Sequence, residues 1–91
     1  MKQLTNLPNI GKTLAKKLNS VGIENEKMLK KIGSKNAIAK IITIENSGTC
    51  INMLYAIEGA IQGIRWHGLD NKKKQELSNY YKTLEKIKTI S

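Results

Sequence analysis

The stretch Asn52-Met53-Leu54-Tyr55-Ala56-Ile57-Glu58-Gly59-Ala60-Ile61-Gln62-Gly63-Ile64-Arg65-Trp66 constrains this chain more than any other. It is apolar on nearly every side, and Glu58 is its one carboxylate. A soluble chain hides such a helix only by surrounding it with other helices, so the pattern predicts a central apolar helix from about Thr49 to Trp66. Ala56, Gly59, Ala60 and Gly63 fall at helical spacing, a stripe along which a neighbouring helix can approach closely; that packing offsets the helix-propensity cost of interior glycine, about 1 kcal/mol each. The apolar run from Cys50 to Ile64 is shorter than the roughly 20 residues needed to cross a bilayer, and Glu58 sits near its middle. It reads as a buried core helix rather than a membrane span.

Elsewhere apolar residues recur at three- and four-residue spacing from end to end, and no strand alternation survives. The expectation is an all-α domain covering residues 1–91, a single compact unit of about five to six helices, one of them the central apolar helix. At 91 residues the chain buries one modest core and has no room for a second domain. A short helix is expected near Met1 to Asn6, ended by Pro8. Leu14, Leu18 and Val21 continue the phase of Ile10 on one face of a second helix, with Lys12, Lys16 and Lys17 on the other. Gly22 supplies a carboxy-terminal stop. Asn25 caps a helix that carries Met28, Leu29 and Ile32 inward as far as Gly33. Ser34 is expected to cap the next helix, whose Ile38, Ile41 and Ile42 share a face, and Asn46-Ser47-Gly48 reads as a loop. After a break at His67-Gly68, Asp70 caps a last helix with Leu77, Tyr80, Tyr81, Leu84 and Ile87 on its apolar face.

Charge narrows the function. The net charge is +9, the electrostatic footprint of a phosphate-binding surface. Fifteen of the sixteen basic residues are Lys, and the abundance of Lys, Ile and Asn together is what a biased base composition also produces. Arg is the usual bidentate reader of guanine edges, so a chain whose one Arg is Arg65 is suited to nonspecific phosphate contact more than to reading bases. The Lys residues concentrate at the two ends of the chain, with nine among residues 1–44 and six from Lys72 to Lys88. A single cysteine, Cys50, excludes an internal disulfide and suits a reducing compartment. Met1 to Leu18 interleaves Lys with apolar residues and lacks the continuous apolar run of a signal peptide. The expected location is the cytoplasm.

The segment Leu7-Pro8-Asn9-Ile10-Gly11-Lys12-Thr13-Leu14-Ala15-Lys16-Lys17-Leu18 resembles a helix-hairpin-helix element, in which a tight turn exposes backbone amides to a nucleic-acid phosphate. Amides without intrahelical partners at a helix start, together with the positive end of the helix dipole, favour an anion. Asn9, Ile10, Gly11, Lys12, Thr13, Lys16 and Lys17 are the candidate nucleic-acid-binding residues. The usual pattern has glycine at both hairpin positions. Here Asn9 takes the first, and Asn tolerates positive φ better than most residues. The alternative is that Pro8 and Gly11 only make a turn while the Lys residues form a solvated face.

Catalytic constellations are missing. Glu58 invites a general acid or base role, but no second catalytic group accompanies it, and a structural hydrogen bond or ion pair is the expected use. His67 is the single histidine, so no metal-ligand set is expected and no cofactor is implied. No nucleophile turn surrounds any Ser. Among the aromatics, Tyr55 and Trp66 are expected in the core, whereas Tyr80 and Tyr81, being adjacent, cannot both point inward. Lys72-Lys73-Lys74 fits either a phosphate contact or a solvated helix face.

Leu4, Leu7, Ile10 and Gly11, then Val21-Gly22-Ile23, Leu29 and Gly33, and above all Asn52 through Gly63 with Trp66 and Leu69, resemble the C-terminal domain of the TfoX/Sxy regulators of natural competence for DNA transformation. The resemblance spans about residues 4–85. It implies an all-helical domain of helix-hairpin-helix or SAM-like topology, without enzyme activity, that regulates competence gene expression alongside a separate DNA-bound transcription factor. Longer members of that family carry another domain upstream, whereas this chain begins three residues before the match and looks like a stand-alone version. The expected partner is therefore DNA, held weakly and nonspecifically through its backbone, or a DNA-bound transcription factor. The alternative is a protein-interaction or homodimerisation module with no nucleic-acid contact.

Overall fold

A computed structural model describes residues 3–44 and 51–90, with side chains as far as residue 86 in the last helix. Five helices follow in order: α1 (Lys12–Ser20), α2 (Glu26–Ile32), α3 (Ser34–Ile44), α4 (Ile51–Gln62) and α5 (Asn71–Ile90). Two 3₁₀ turns, Leu4–Asn6 and Trp66–Gly68, precede α1 and α5. No strand forms among the described residues; a lone bridge joins Gln3 to Asn25. The all-α expectation holds.

The helix boundaries follow local chemistry. In α1, Ile23 N–H donates to Leu18 O and Gly22 N–H to Asn19 O, with Gly22 at φ 86, which is the paired-bond ending that glycine permits. Leu18 and Ile23 are both fully buried, closing that ending with an apolar contact. Asn25 caps α2 as expected, its Oδ1 accepting from Met28 N at 3.0 Å. Gly33, at φ 86, ends α2, and its carbonyl accepts from Ala37 N to open α3. Ser34 is therefore inside the first turn of α3 rather than capping it, and its hydroxyl is used elsewhere. The carbonyl of Asp70 accepts from Lys74 N at 2.9 Å, so α5 opens where expected.

Two expected helices differ. The segment at the start is only a 3₁₀ turn, because Leu4 and Leu7 are drawn into the core and the chain turns at Pro8 before a helical bond ladder develops. The central helix stops at Gln62, four residues early. Gly63 takes φ 77, Ile64 N–H donates to Gly59 O at 2.9 Å and Gly63 N–H to Ala60 O at 3.2 Å. Gly63 is thus a helix terminator and not part of a packing stripe. The helix break falls there, and His67-Gly68 lies in the following 3₁₀ turn. The predicted loop at Asn46-Ser47-Gly48 and the side chain of Ile87 lie outside the described residues.

The core is one cluster. α4 packs against α2, α3, α5 and the Trp66–Gly68 turn, which makes it the central helix. Leu54 and Ile57 of α4 are fully buried with Leu29 of α2, Ile38 and Ile41 of α3 and Leu77 of α5. Met28, Ile32 and Ile42 pack against this cluster while remaining partly exposed. The adjacent tyrosines divide as expected: Tyr81 is buried, and Tyr80 lies at the edge with its hydroxyl donating to Lys35 O at 3.3 Å.

At that edge Lys35 of α3 reaches Glu76 of α5 at 2.7 Å, and Lys73 reaches the same carboxylate at 3.4 Å. The hydrogen bond and charge of Lys35, followed by those of Lys73, hold the Glu76 carboxyl below the usual carboxylate range. A lowered carboxylate pKa stabilises the fold above its unfolded value, and the contribution is lost as pH falls through the folded value. The pair is solvent-exposed, so its effect is small and screened by salt. Urea titrations of wild type and Glu76→Gln should show wild type the more stable at neutral pH and low salt, with the difference vanishing once pH drops below the depressed Glu76 value.

Candidate nucleic-acid interface

The turn from Leu7 to Gly11 is pinned at both ends by apolar burial. Leu7 and Ile10 are each 5% exposed, and Ile10 N–H donates to Leu7 O at 3.4 Å. Between them Asn9 adopts φ 69, in the left-handed region that glycine usually fills in such hairpins. The side chain supplies the reason for asparagine. Asn9 Nδ2 donates to Ile64 O at 2.9 Å and, more weakly, to Ala56 O at 3.4 Å; Asn9 Oδ1 accepts from Trp66 N at 3.2 Å. One amide thus clasps the end of α4 and the chain that leaves it.

Gly59 makes room for this clasp. A Cβ there would sit 2.5 Å from Asn9 Nδ2, 2.8 Å from Ile64 O and 3.2 Å from Trp66 Cα. The small-residue stripe on α4 does admit a close approach, but at Gly59 the visitor is the Asn9 amide and the returning backbone, not a neighbouring helix.

Beyond the clasp the chain enters α1. Gly11 is extended (φ −93, ψ −174), its carbonyl accepts from Ala15 N, and no side chain caps the helix. The N–H groups of residues 11–14 precede the first intrahelical bond and lie at the positive end of the helix dipole. No acidic residue stands in the first turn. Gly11, Lys12, Thr13 and Lys16 are exposed, and Lys17 is half-buried beside them. The structure therefore brings these five of the seven candidate residues to one solvent-facing surface. Ile10 and the Asn9 amide point into the fold, so any share they take in anion binding falls to their backbone.

Glu58 is used structurally. Its Oε1 accepts from Ser34 Oγ at 2.6 Å and its Oε2 from Gln62 Nε2 at 2.7 Å, tying the start of α3 to α4. It borders a cleft of about 290 Å³, where both carboxylate oxygens already have donors. Among the described residues no three His, Cys, Asp or Glu side chains cluster as metal ligands would. No described helix is long and apolar enough to cross a membrane.

The sequence pattern puts Ile64 to Trp66 in the central helix and not among the candidate binding residues, whereas in the structure they form the segment that Asn9 holds. Trp66 stacks on Tyr55 (centroids 5.8 Å apart, planes 19°) and on His67 (4.0 Å, 27°). Tyr55 and Trp66 are partly buried against the core, while Arg65 and His67 are exposed. Lys74 Nζ lies 5.8 Å from the Trp66 ring centre and donates to His67 O at 3.4 Å. The signal available in the sequence was the placement of the lone Arg, Trp and His side by side.

The fold and its outward chemistry define a small helical module that exposes a helix start and a basic surface. The chain belongs to the TfoX C-terminal domain family, whose model matches residues 1–81. That family is one of competence-related regulatory domains. Two crystal structures from Listeria monocytogenes are similar to it. A triclinic form of an uncharacterized protein shares 49% identity and a TM-score of 0.88 over 91% of this chain and 93% of that one. A tetragonal form of a protein of unknown function shares 49% identity and a TM-score of 0.85 over 89% and 99%. No curated protein matches the chain.

The clasp yields a paired expectation for urea unfolding followed by helical circular dichroism. Gly59→Ala should destabilise by about 1–3 kcal/mol through overpacking, even though alanine favours helix. Asn9→Gly keeps the backbone angle but strips partners from Ile64 O and Trp66 N, costing about 1–3 kcal/mol. Asn9→Ala adds the left-handed strain of roughly 1–2 kcal/mol. Wild-type stability in Gly59→Ala would contradict the packing described.

Proposed function

We propose that this chain is a non-enzymatic, cytoplasmic regulatory domain that contacts the DNA backbone through the start of α1. One observation carries the reading: the first turn of α1 is uncapped by any side chain, free of acidic residues and flanked by exposed Lys12 and Lys16. Such a turn offers converging N–H donors and positive potential to a phosphate. Thr13 adds a hydroxyl on the same exposed turn, and the net charge of +9 favours approach of a polyanion. Family membership supports a competence-related regulatory role. A DNA-bound transcription factor is the natural companion of a domain that grips backbone without reading bases.

A second reading, a protein-interaction or homodimerisation module, has Ile44 in its favour, a large apolar side chain left 57% exposed at the end of α3. Fluorescence anisotropy with labelled DNA across a salt series separates the two. The DNA reading predicts micromolar binding that falls steeply with salt, as phosphate neutralisation requires, and is lost in Lys12→Glu/Lys16→Glu. Absent binding at low salt, with a mass that rises with protein concentration, favours the interaction module.

A further inference from the structure

The geometry points to a second element of the nucleic-acid surface: the Arg65-Trp66-His67 segment, binding a strand with unpaired bases by stacking a base on the exposed His67 ring and holding the adjoining phosphate with Arg65. This extends the DNA-backbone reading above and rests on it for the neighbouring phosphate contact.

Position comes first. Asn9 Oδ1 accepts from Trp66 N at 3.2 Å and Asn9 Nδ2 donates to Ile64 O at 2.9 Å, so the segment sits directly on the hairpin. Lys12 follows Asn9 by three residues, which caps the Cα separation at about 11 Å. One strand, whose phosphates are spaced several ångströms apart, therefore has the start of α1 and the Arg65 segment within a few nucleotides of each other. The two regions are 53 positions apart in sequence, from Lys12 to Arg65, and the Asn9 clasp joins them.

The segment sets a cation beside ring surface, where the remaining basic surface is built from lysines alone. Lys35 and Lys73 are paired with Glu76, and Lys30 with Glu26. Arg65 is exposed and has no ion-pair partner among the described residues. Beside it His67 is exposed and lies 4.0 Å from the Trp66 ring, which is itself stacked on Tyr55. Packing against Trp66 and the hydrogen bond from Lys74 Nζ to His67 O hold the imidazole's backbone and ring in place before any ligand arrives. A pre-ordered ring among cations is the arrangement on which single-stranded bases stack, since every base offers a π-face. A duplex keeps those faces covered and engages only the cations. Asp70 is the nearby acid in sequence; it stands at the opening of α5, beyond the 3₁₀ turn.

The test compares labelled oligothymidylate with duplex DNA by anisotropy, using wild type, His67→Ala, His67→Phe, Arg65→Gln and Lys12→Glu/Lys16→Glu, each checked for an unchanged thermal melt. The expected result is that His67→Ala weakens single-strand binding about five-fold or more, a typical loss for one stacked base, with little change for duplex. His67→Phe should restore it, and Arg65→Gln should reduce both the affinity and the salt slope. Single-stranded DNA should also quench Trp66, the one tryptophan in the chain. Equal affinities of wild type and His67→Ala for oligothymidylate would overturn the inference while leaving the α1 contact standing if Lys12→Glu/Lys16→Glu still abolishes binding. Retained His67-dependent binding in Lys12→Glu/Lys16→Glu would uphold the segment and remove the α1 reading. Absence of wild-type binding to either DNA would overturn both.

Discussion

A single carboxamide fixes the relation between the two ends of this fold. Asn9 engages the backbone of Ala56, Ile64 and Trp66 from a turn far upstream in the chain. Ile64 and Trp66 lie where α4 has ended and α5 has not begun, so the ladder of neither helix satisfies the carbonyl of Ile64 or the N–H of Trp66. Each of the Asn9 bonds contributes about 0.5–1.5 kcal/mol, a noticeable share of the stability of a domain this small. The clasp works only because Gly59 has no side chain and because asparagine tolerates φ 69 at a hairpin position that glycine would fill without making any bond. Turn, helix end and return loop are thus one interdependent unit.

That unit also orients the surface. The direction of α1 is set by the turn that precedes it, and the turn is anchored by Leu7 and Ile10 in the core and by Asn9 on the return loop. The uncapped start of α1 therefore faces solvent from a rigid base. Elsewhere the exposed Lys35–Glu76–Lys73 cluster links α3 to α5, and Ser34, Glu58 and Gln62 link α3 to α4. These contacts consume the carboxylate that most resembled a catalytic group.

Much of the architecture was legible because periodicity and glycine placement carry it. Helices α1 to α3 and α5 follow from apolar spacing, and the ends at Gly22 and Gly33 follow from residues able to take positive φ. The early end of α4 was not, because Gly63 as a terminator and Gly63 as a packing residue look identical in an apolar run; the choice depends on whether Ile64 N–H can reach Gly59 O. Ser34 was misplaced because a serine at a helix start usually accepts a backbone bond, whereas here Glu58 offers a stronger, charged acceptor 24 positions away. The role of Asn9 at the candidate interface was half visible. Its backbone angle followed from residue type, while its three partners depend on a tertiary approach that no local pattern encodes. For the same reason the proximity of Arg65 and His67 to the hairpin could not be read from spacing.

Amide hydrogen exchange at Trp66 tests the clasp most directly, since this N–H opens the 3₁₀ turn, ahead of its first internal bond, and its protection depends on Asn9 Oδ1. The account predicts protection comparable to the amides of α4 in wild type, collapsing in Asn9→Gly while the α4 amides remain slow. Exchange of Trp66 at the rate of an open loop in wild type, or protection unchanged by Asn9→Gly, would show that the hairpin and the return loop are not held together in this way.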